Sequence, residues 1–376
     1  MQSDILSEDI QYCASRSFMK GLNGKSILVI GSSGMIGNYI VNVLSAFDCV
    51  NIIAFSRGHH IKARNIYNVF GDICSFNGSI PKFDICLFAA GKTDRKIFDN
   101  NPEAIYEVNT TGLHNALKLA KQNHCTRFVY ISSASVYGNV NNVSLLNEES
   151  IGIIDFNNPA SVYSESKRMG ECICSCYMKQ YNLDIRIIRP FHMYGAGMLL
   201  NNNNLVFESI KRAINQTPIE IVSTGDNKRN LTYLRDMIRQ ILMIMAIRDC
   251  YRTINLGSEN NVTVKDWAYE IGRQAKVDVH IHGKLTNGCD MCPDLAKLRE
   301  LNAENDPDAV DLNYAVGVMR TLQYFKQLPP PRPSENSSDP LKSEVKTVCP
   351  TVLLRTNFFL FILYKPCSIR VISCGY

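Results

Sequence analysis

Residues 26–37 read SILVIGSSGMIG, a run that is apolar from Ile27 to Ile30 and then carries glycine at Gly31, Gly34 and Gly37. A short apolar run of this kind, bounded by turn residues, reads as a buried strand of a parallel sheet. The apolar spacing from Met35 to Phe47 is that of a helix. Between a strand and a helix, glycines at these places let the chain turn tightly, bring the backbone up to a pyrophosphate and pack the helix close to the strand. The spacing departs by one residue from the GxGxxG form. Gly31, Ser33, Gly34, Met35, Ile36 and Gly37 are therefore candidate contacts to a dinucleotide.

Working outward, short apolar runs alternate with helical patterns: strands at 50–55, 83–89, 127–131 and 184–188, and helices at 109–122 and 160–181. That alternation is the signature of βαβ units and a parallel sheet, hence an α/β fold. Residues 1–24 are expected to form a helical extension packed on the sheet edge, and 25–189 the nucleotide-binding domain. Beyond Pro190 the pattern loosens, with helices at 205–215, 234–248 and 264–275 and a strand at 219–222. Residues 190–328 are read as a smaller mixed α/β lobe interleaved with the sheet. At Pro329 a PPPRP stretch opens a stiff linker, and the tail runs to Tyr376.

The composition of the 376-residue chain is globular: 45% apolar, 20% charged, with 22 Gly and 14 Pro. Forty basic and 35 acidic residues leave +5, of which residues 329–376 supply three, so a nucleic-acid partner is not expected. The first nine residues hold three acids and no base, which does not read as a secretory leader. The 14 cysteines are expected reduced and the protein cytoplasmic. The longest apolar candidate for a membrane span, 358–364, is seven residues, against the roughly 18 a span needs. An anchor at 348–364 is the weaker alternative.

The second strand ends in Phe55-Ser56-Arg57, where an NAD-selective fold usually places an acid for the ribose diol. Ser56 and Arg57 suit a 2′-phosphate instead, which favours NADP(H); a solvated arginine is the alternative. Asp72 and Ile73, after the third apolar run, are placed at the adenine.

Tyr163-Ser164-Glu165-Ser166-Lys167 puts tyrosine and lysine on one helix face, four residues apart. A free tyrosine has a pKa of about 10, so its use near neutrality needs a nearby positive charge to favour the phenolate. Ser132 to Gly138, SSASVYG, stands at the end of another strand.

In this order the pieces GSSGMIG, Gly71-Asp72-Ile73, Ala89-Ala90, Asn109, SSASVYG, YSESK, Arg189 to Gly195 (RPFHMYG), Gly225-Asp226 with Arg229, and Asn255-Leu256-Gly257 resemble the extended short-chain dehydrogenase/reductases of the nucleotide-sugar epimerase/dehydratase family, over about residues 25–325. The resemblance implies a Rossmann-type doubly wound parallel sheet holding NAD or NADP, with the smaller lobe closing over a nucleoside-diphosphate sugar, in a homodimer. It implies that Ser133 hydrogen-bonds the reacting oxygen, Tyr163 is the acid/base, and Lys167 contacts the ribose and tunes the tyrosine. It places Ala89, Ala90 and Asn109 at the cofactor and His192, Asn204 and Arg229 at the substrate.

Dehydratases of this family resemble Thr-Asp-Glu-Val-Tyr-Gly at the strand end, and the uronate decarboxylases Thr-Ser-Glu-Val-Tyr-Gly. Ala134 and Ser135 stand in those places here. The expected reaction is therefore 4-epimerisation with NAD, in sugar supply for surface polysaccharide; the alternative is NADPH-dependent reduction of a nucleotide-linked 4-keto sugar. A catalytically silent nucleotide-binding scaffold is the non-enzymatic reading. Two departures from the family bear on the substrate: His192 replaces an asparagine, and Asn287-Gly288-Cys289-Asp290 replaces Arg-Pro-Gly-Asp. His280, His282, Cys289 and Cys292 are potential zinc ligands by spacing, but alternating histidines on an exposed strand are the favoured reading, and no metal is expected.

Overall fold

The computed structural model describes residues 5–92, 95–140, 144–200, 205–284 and 289–327. Asn204 and the 329–376 linker and tail lie outside these residues. The strands are β1 (Ser26–Ile30), β2 (Asn51–Ser56), β3 (Ile66–Phe70), β4 (Ile85–Phe88), β5 (Arg127–Ile131) and β6 (Ile185–Pro190). They continue with β7 (His192–Tyr194), β8 (Ile219–Ser223), β9 (Lys228–Tyr233), β10 (Thr253–Leu256), β11 (Asn261–Thr263) and β12 (Val279–Lys284).

Seven strands form a parallel sheet in the order β10-β6-β5-β4-β1-β2-β3. The chain leaves β1 toward β2 and β3 on one side and returns to β4 on the other, with Ile27 opposite both Ile52 and Ile85. The direction of winding thus reverses between β1 and β4, and the crevice at the carboxyl ends of such a pair is where ligands of open α/β sheets bind.

Successive side chains of β1 feed opposite layers, as strand geometry requires. Ile27 and Val29 join one core with helices Met35–Phe47 and Leu234–Ala246, and Leu28 and Ile30 join the other with helix Leu113–Gln122 and Cys174 and Tyr177 of helix Val162–Tyr181. Residues 234–256, assigned from sequence to the smaller lobe interleaved with the sheet, complete the layers of the large sheet: helix Leu234–Ala246 is buried on nearly every face, and β10 extends the large sheet beside β6. The smaller region pairs β7 and β11 with β9, and β8 with β12, around a core of Tyr194, Phe207, Tyr233 and Trp267.

The first helix, Ile5–Ala14, packs against helices Met35–Phe47 and Leu234–Ala246 rather than on the sheet edge. Asp9 fixes it, accepting from Tyr233 Oη and from Arg320 Nη2, both at 2.8 Å. Nearby, Asp306 is buried between Arg16 and Arg239, whose Nη1 donates at 2.7 Å, and Arg239 also pairs with Asp311 at 3.0 Å.

Candidate active site

At the carboxyl end of β1, Gly31 has φ +89°, and a Cβ there would lie 2.7 Å from the Ala90 backbone nitrogen. A Cβ on Gly37 would sit 2.2 Å from the Gly31 carbonyl oxygen. These two positions admit only glycine, for conformation and contact at the first and contact at the second. Gly34 precedes helix Met35–Phe47 with no side-chain cap, which leaves the first amide donors for an anion. Ser33 and Gly34 are exposed and Met35 and Ile36 half-buried around that opening. The turn is tied to β2, because the Phe55 carbonyl accepts from Gly31 N, Ser32 N and Ser32 Oγ at 3.0–3.1 Å.

Ala89 and Ala90 flank the crevice, Ala89 N donating to the Ile30 carbonyl at 2.9 Å. Asp72 is exposed and its Oδ1 accepts from Cys74 N at 2.9 Å, while the Ile73 carbonyl accepts from Asn115 Nδ2 at 3.0 Å, so this loop is pinned to the following helix. Ser56 is buried and its hydroxyl both donates to the His59 carbonyl and accepts from His59 N, at 3.0 Å each. Of the Ser56-Arg57 pair, only Arg57 is exposed.

Asn109 sits in a π-helical turn, Val108–Gly112, of a kind common at functional sites. It is fully buried and donates from Nδ2 to Ser166 Oγ at 2.9 Å, yet its Oδ1 has no partner. A buried polar atom without a partner is costly and marks a place for a ligand group or water. The cradle at Gly31 and Gly37 and this waiting acceptor fit a dinucleotide.

Ser133 caps the short turn Ala134–Tyr137, its Oγ accepting from Ser135 N at 3.1 Å. Tyr163 and Lys167 occupy adjacent turns of helix Val162–Tyr181, with the Lys167 ammonium 5.9 Å from the Tyr163 ring centre. Lys167 Nζ donates to the Ile131 carbonyl at 2.8 Å. Burial pushes its pKa down to about 8, opposed first by the Glu171 carboxylate. Burial pushes the Tyr163 hydroxyl up, and a hydrogen bond with Ser133 opposes the rise. Serine, tyrosine and lysine are thus brought together as the sequence suggests.

His192, on β7, has a buried Nδ1 without a partner. Burial, and then the Arg229 charge, push its pKa down to about 4, so it is neutral at pH 7. Arg229, on β9, donates from Nη1 to the Lys228 and Cys289 carbonyls at 2.8 Å, and among the described residues it pairs with no carboxylate. It borders a shallow cleft of about 10 Å³ with Leu205, Val262 and Trp267. Ser135 Oγ is likewise buried and unpartnered.

Sequence reasoning missed Glu171. Its Oε1 accepts from Ser132 Oγ at 2.6 Å, and its two oxygens bind Arg189 Nε and Nη2 at 2.9 and 2.6 Å. The available signal was position, since Glu171 follows Lys167 by four and so shares its helix face.

The four potential zinc ligands separate. His280 and His282 take the two oxygens of Glu220 at 3.0 and 2.7 Å, Cys289 Sγ lies 3.6 Å from Asn139 Oδ1, and Cys292 is buried. Among the described residues no three ligands gather, and no helix is long and apolar enough to cross a membrane.

The model of the NAD dependent epimerase/dehydratase family matches residues 27–257. Among curated relatives, UDP-glucuronic acid decarboxylase 1 of Danio rerio is 25% identical over 260 residues, covering 67% of this chain and 61% of the relative. UDP-glucuronic acid decarboxylase 6 of Arabidopsis thaliana is 26% identical over 288 residues, covering 73% and 82%. The chain spans about three fifths of the length of the Danio rerio and Xenopus tropicalis relatives. An epimerase structure from Methanothermobacter thermautotrophicus superposes with TM-score 0.71 at 23% identity, covering 83% of this chain and 95% of the other. A UDP-glucuronic acid 4-epimerase from Bacillus cereus, solved with UDP-glucuronic acid and NAD, gives 0.67 at 19%, covering 80% and 99%. At such identities the structures share the fold, while the family model takes in more than half of the chain, including the Gly31 turn and the Tyr163 helix. The protein belongs to the NAD-dependent epimerase/dehydratase family.

Proposed function

We propose that the protein is a nucleotide-sugar 4-epimerase. The observation that carries this reading is the assembly of Ser133, Tyr163 and Lys167 beside a strand end that holds Ala134 and Ser135. A buried serine hydroxyl does not replace a carboxyl group as an acid or base near neutrality. Relatives named as decarboxylases are similar in sequence, but the glutamate of the Thr-Ser-Glu-Val-Tyr-Gly stretch that the family resemblance gives such enzymes is replaced here by Ser135.

Gly31, Ser33, Gly34, Met35, Ile36, Gly37, Asp72, Ile73, Ala89, Ala90 and Asn109 would hold the dinucleotide. When bound, a nicotinamide supplies a reversible hydride acceptor. Tyr163 takes the proton from the sugar O4 and later returns it. Ser133 holds that oxygen through its hydroxyl, and the Lys167 charge favours the phenolate. Arg229 offers its charge to the diphosphate, and His192, neutral, offers a hydrogen bond.

A second reading is NADPH-dependent reduction of a 4-keto sugar, favoured by Arg57, exposed where an acid would select NAD. One experiment tests both: release and identify the bound cofactor, then screen UDP-, dTDP-, GDP- and CDP-sugars by NMR. Inversion at C4 without net redox supports the epimerase; stoichiometric NADPH consumption supports the reductase. No change in any sugar, with Tyr163→Phe identical to wild type, would leave the silent scaffold. The homodimer implied by the resemblance is checked by light scattering.

A further inference from the structure

Glu171 lies one helical turn beyond Lys167, and nothing in the chemistry above uses it. Its carboxylate is nevertheless fully engaged by Ser132 and, through two hydrogen bonds, by Arg189. The ion pair is largely buried, with side-chain exposures of 12% and 14%. Arg189 is held from its other side, Nη1 donating to Tyr137 Oη at 3.1 Å and to the Glu148 carbonyl at 2.8 Å. One carboxylate thus joins the strand end that carries Ser133, the helix that carries Tyr163 and Lys167, and β6.

We infer that Glu171 is a positioning residue: clamped by Arg189, it locks the Ser132-Ser133 strand end to the Tyr163 helix and stands as the counter-charge of Lys167. The inference rests on the reading that Ser133, Tyr163 and Lys167 act in the reaction. An ion pair serving stability alone is poorly explained at this depth, since desolvation offsets most of its attraction and apolar residues often stabilise as well. Proximity to the buried lysine gives the charge a use.

The groups facing Lys167 are few. Glu171 and Cys174 lie on its own helix, with Tyr163 one turn before; from β5 come the Tyr130 ring, 5.1 Å away, and the Ile131 carbonyl. Burial drives the Cys174 thiol and the Tyr130 hydroxyl upward, which leaves them neutral at pH 7, while Tyr163, the base of the proposed reaction, is the same residue in every variant compared. Glu171 is the carboxylate among them.

The test reads Lys167 without turnover. The full chain, saturated with NAD and carrying 13C-labelled lysine, is followed by NMR across a pH series, and the Lys167 Cε shift is read, with Lys167→Met fixing its assignment. Glu171→Gln is expected to lower the titration midpoint by ~1 pH unit. Because that change strands the Arg189 guanidinium, Glu171→Gln/Arg189→Met is measured alongside, with the same direction expected. An unmoved midpoint in folded protein overturns the inference. The catalytic reading fails separately, if Tyr163→Phe converts UDP-glucose or UDP-glucuronic acid as fast as wild type.

Discussion

The Lys167 ammonium donates to the carbonyl of Ile131, the last residue of β5, two positions before Ser133. The hydrogen bond ties the lysine to the same strand end that presents the serine, so helix and strand cannot shift independently. It also leaves a buried positive charge whose ionisation is sensitive to pH.

With its pKa lowered to about 8, Lys167 loses its proton within an accessible range. Turnover in the proposed reaction is expected to fall as pH rises above about 8, and Tyr163→Phe to remove it. For stability the sign is opposite. A lysine whose pKa is lower folded than unfolded binds fewer protons folded, so its destabilising contribution is full below pH 8 and fades between 8 and the unfolded value of 10.5. Lys167→Met should therefore show its largest stability gain over wild type at neutral or lower pH, read by urea unfolding at a series of pH values.

Gly37→Ala is expected to lower the melting temperature and abolish nicotinamide binding, because the new methyl meets the Gly31 carbonyl. Gly24→Ala is the control: Gly24 has φ +69° but open space around a Cβ, so only the left-handed backbone penalty of roughly 1 kcal/mol applies. Calorimetry with and without added NAD separates the two effects.

His192→Asn restores the residue that the family resemblance expects. Because His192 is held neutral, with its pKa near 4, wild type and variant should show superimposable pH profiles between about pH 5 and 8, differing only in KM. A limb near pH 6.5 that disappears in the variant would refute the neutral histidine.

Arg57→Asp is expected to weaken NADPH binding at least tenfold relative to NADH, measured by fluorescence titration. Equal affinities in both proteins would make Arg57 an ordinary surface residue.

Asp306→Asn strands Arg16 and takes from the buried Arg239 one of its two carboxylate partners, leaving Asp311. Loss of one partner from a buried pair costs about 3–5 kcal/mol, and denaturant unfolding should show a shift of that order. The site at Ser133 lies on other elements, so cofactor affinity in the folded fraction should be unchanged.

What was legible followed local periodicity. β1, β5, and helices Met35–Phe47 and Val264–Ala275 fall where the apolar spacing puts them, because each buries a full face. β3 and β12 were not read: both are edge strands with mixed or exposed patterns, and only their partners define them. Helix Ala296–Asn305 has just two buried residues and little periodic signal. At the site, Tyr163 and Lys167 were visible because their relation is one helical turn. The link from Glu171 to Arg189 was not, since it crosses from a helix to a strand 18 residues on.

The placement of β10 and helix Leu234–Ala246 within the large sheet's layers bears on how the protein is made. A ribosome that has released residues 25–189 has delivered every glycine of the cradle and all of Ser133, Tyr163 and Lys167, yet β6 still lacks its outer neighbour and one core face lies bare. The large-sheet half therefore waits, unfinished and aggregation-prone, until about residue 256 has emerged. A gene fragment ending at Arg189 should yield inclusion bodies rather than a small dinucleotide-binding protein.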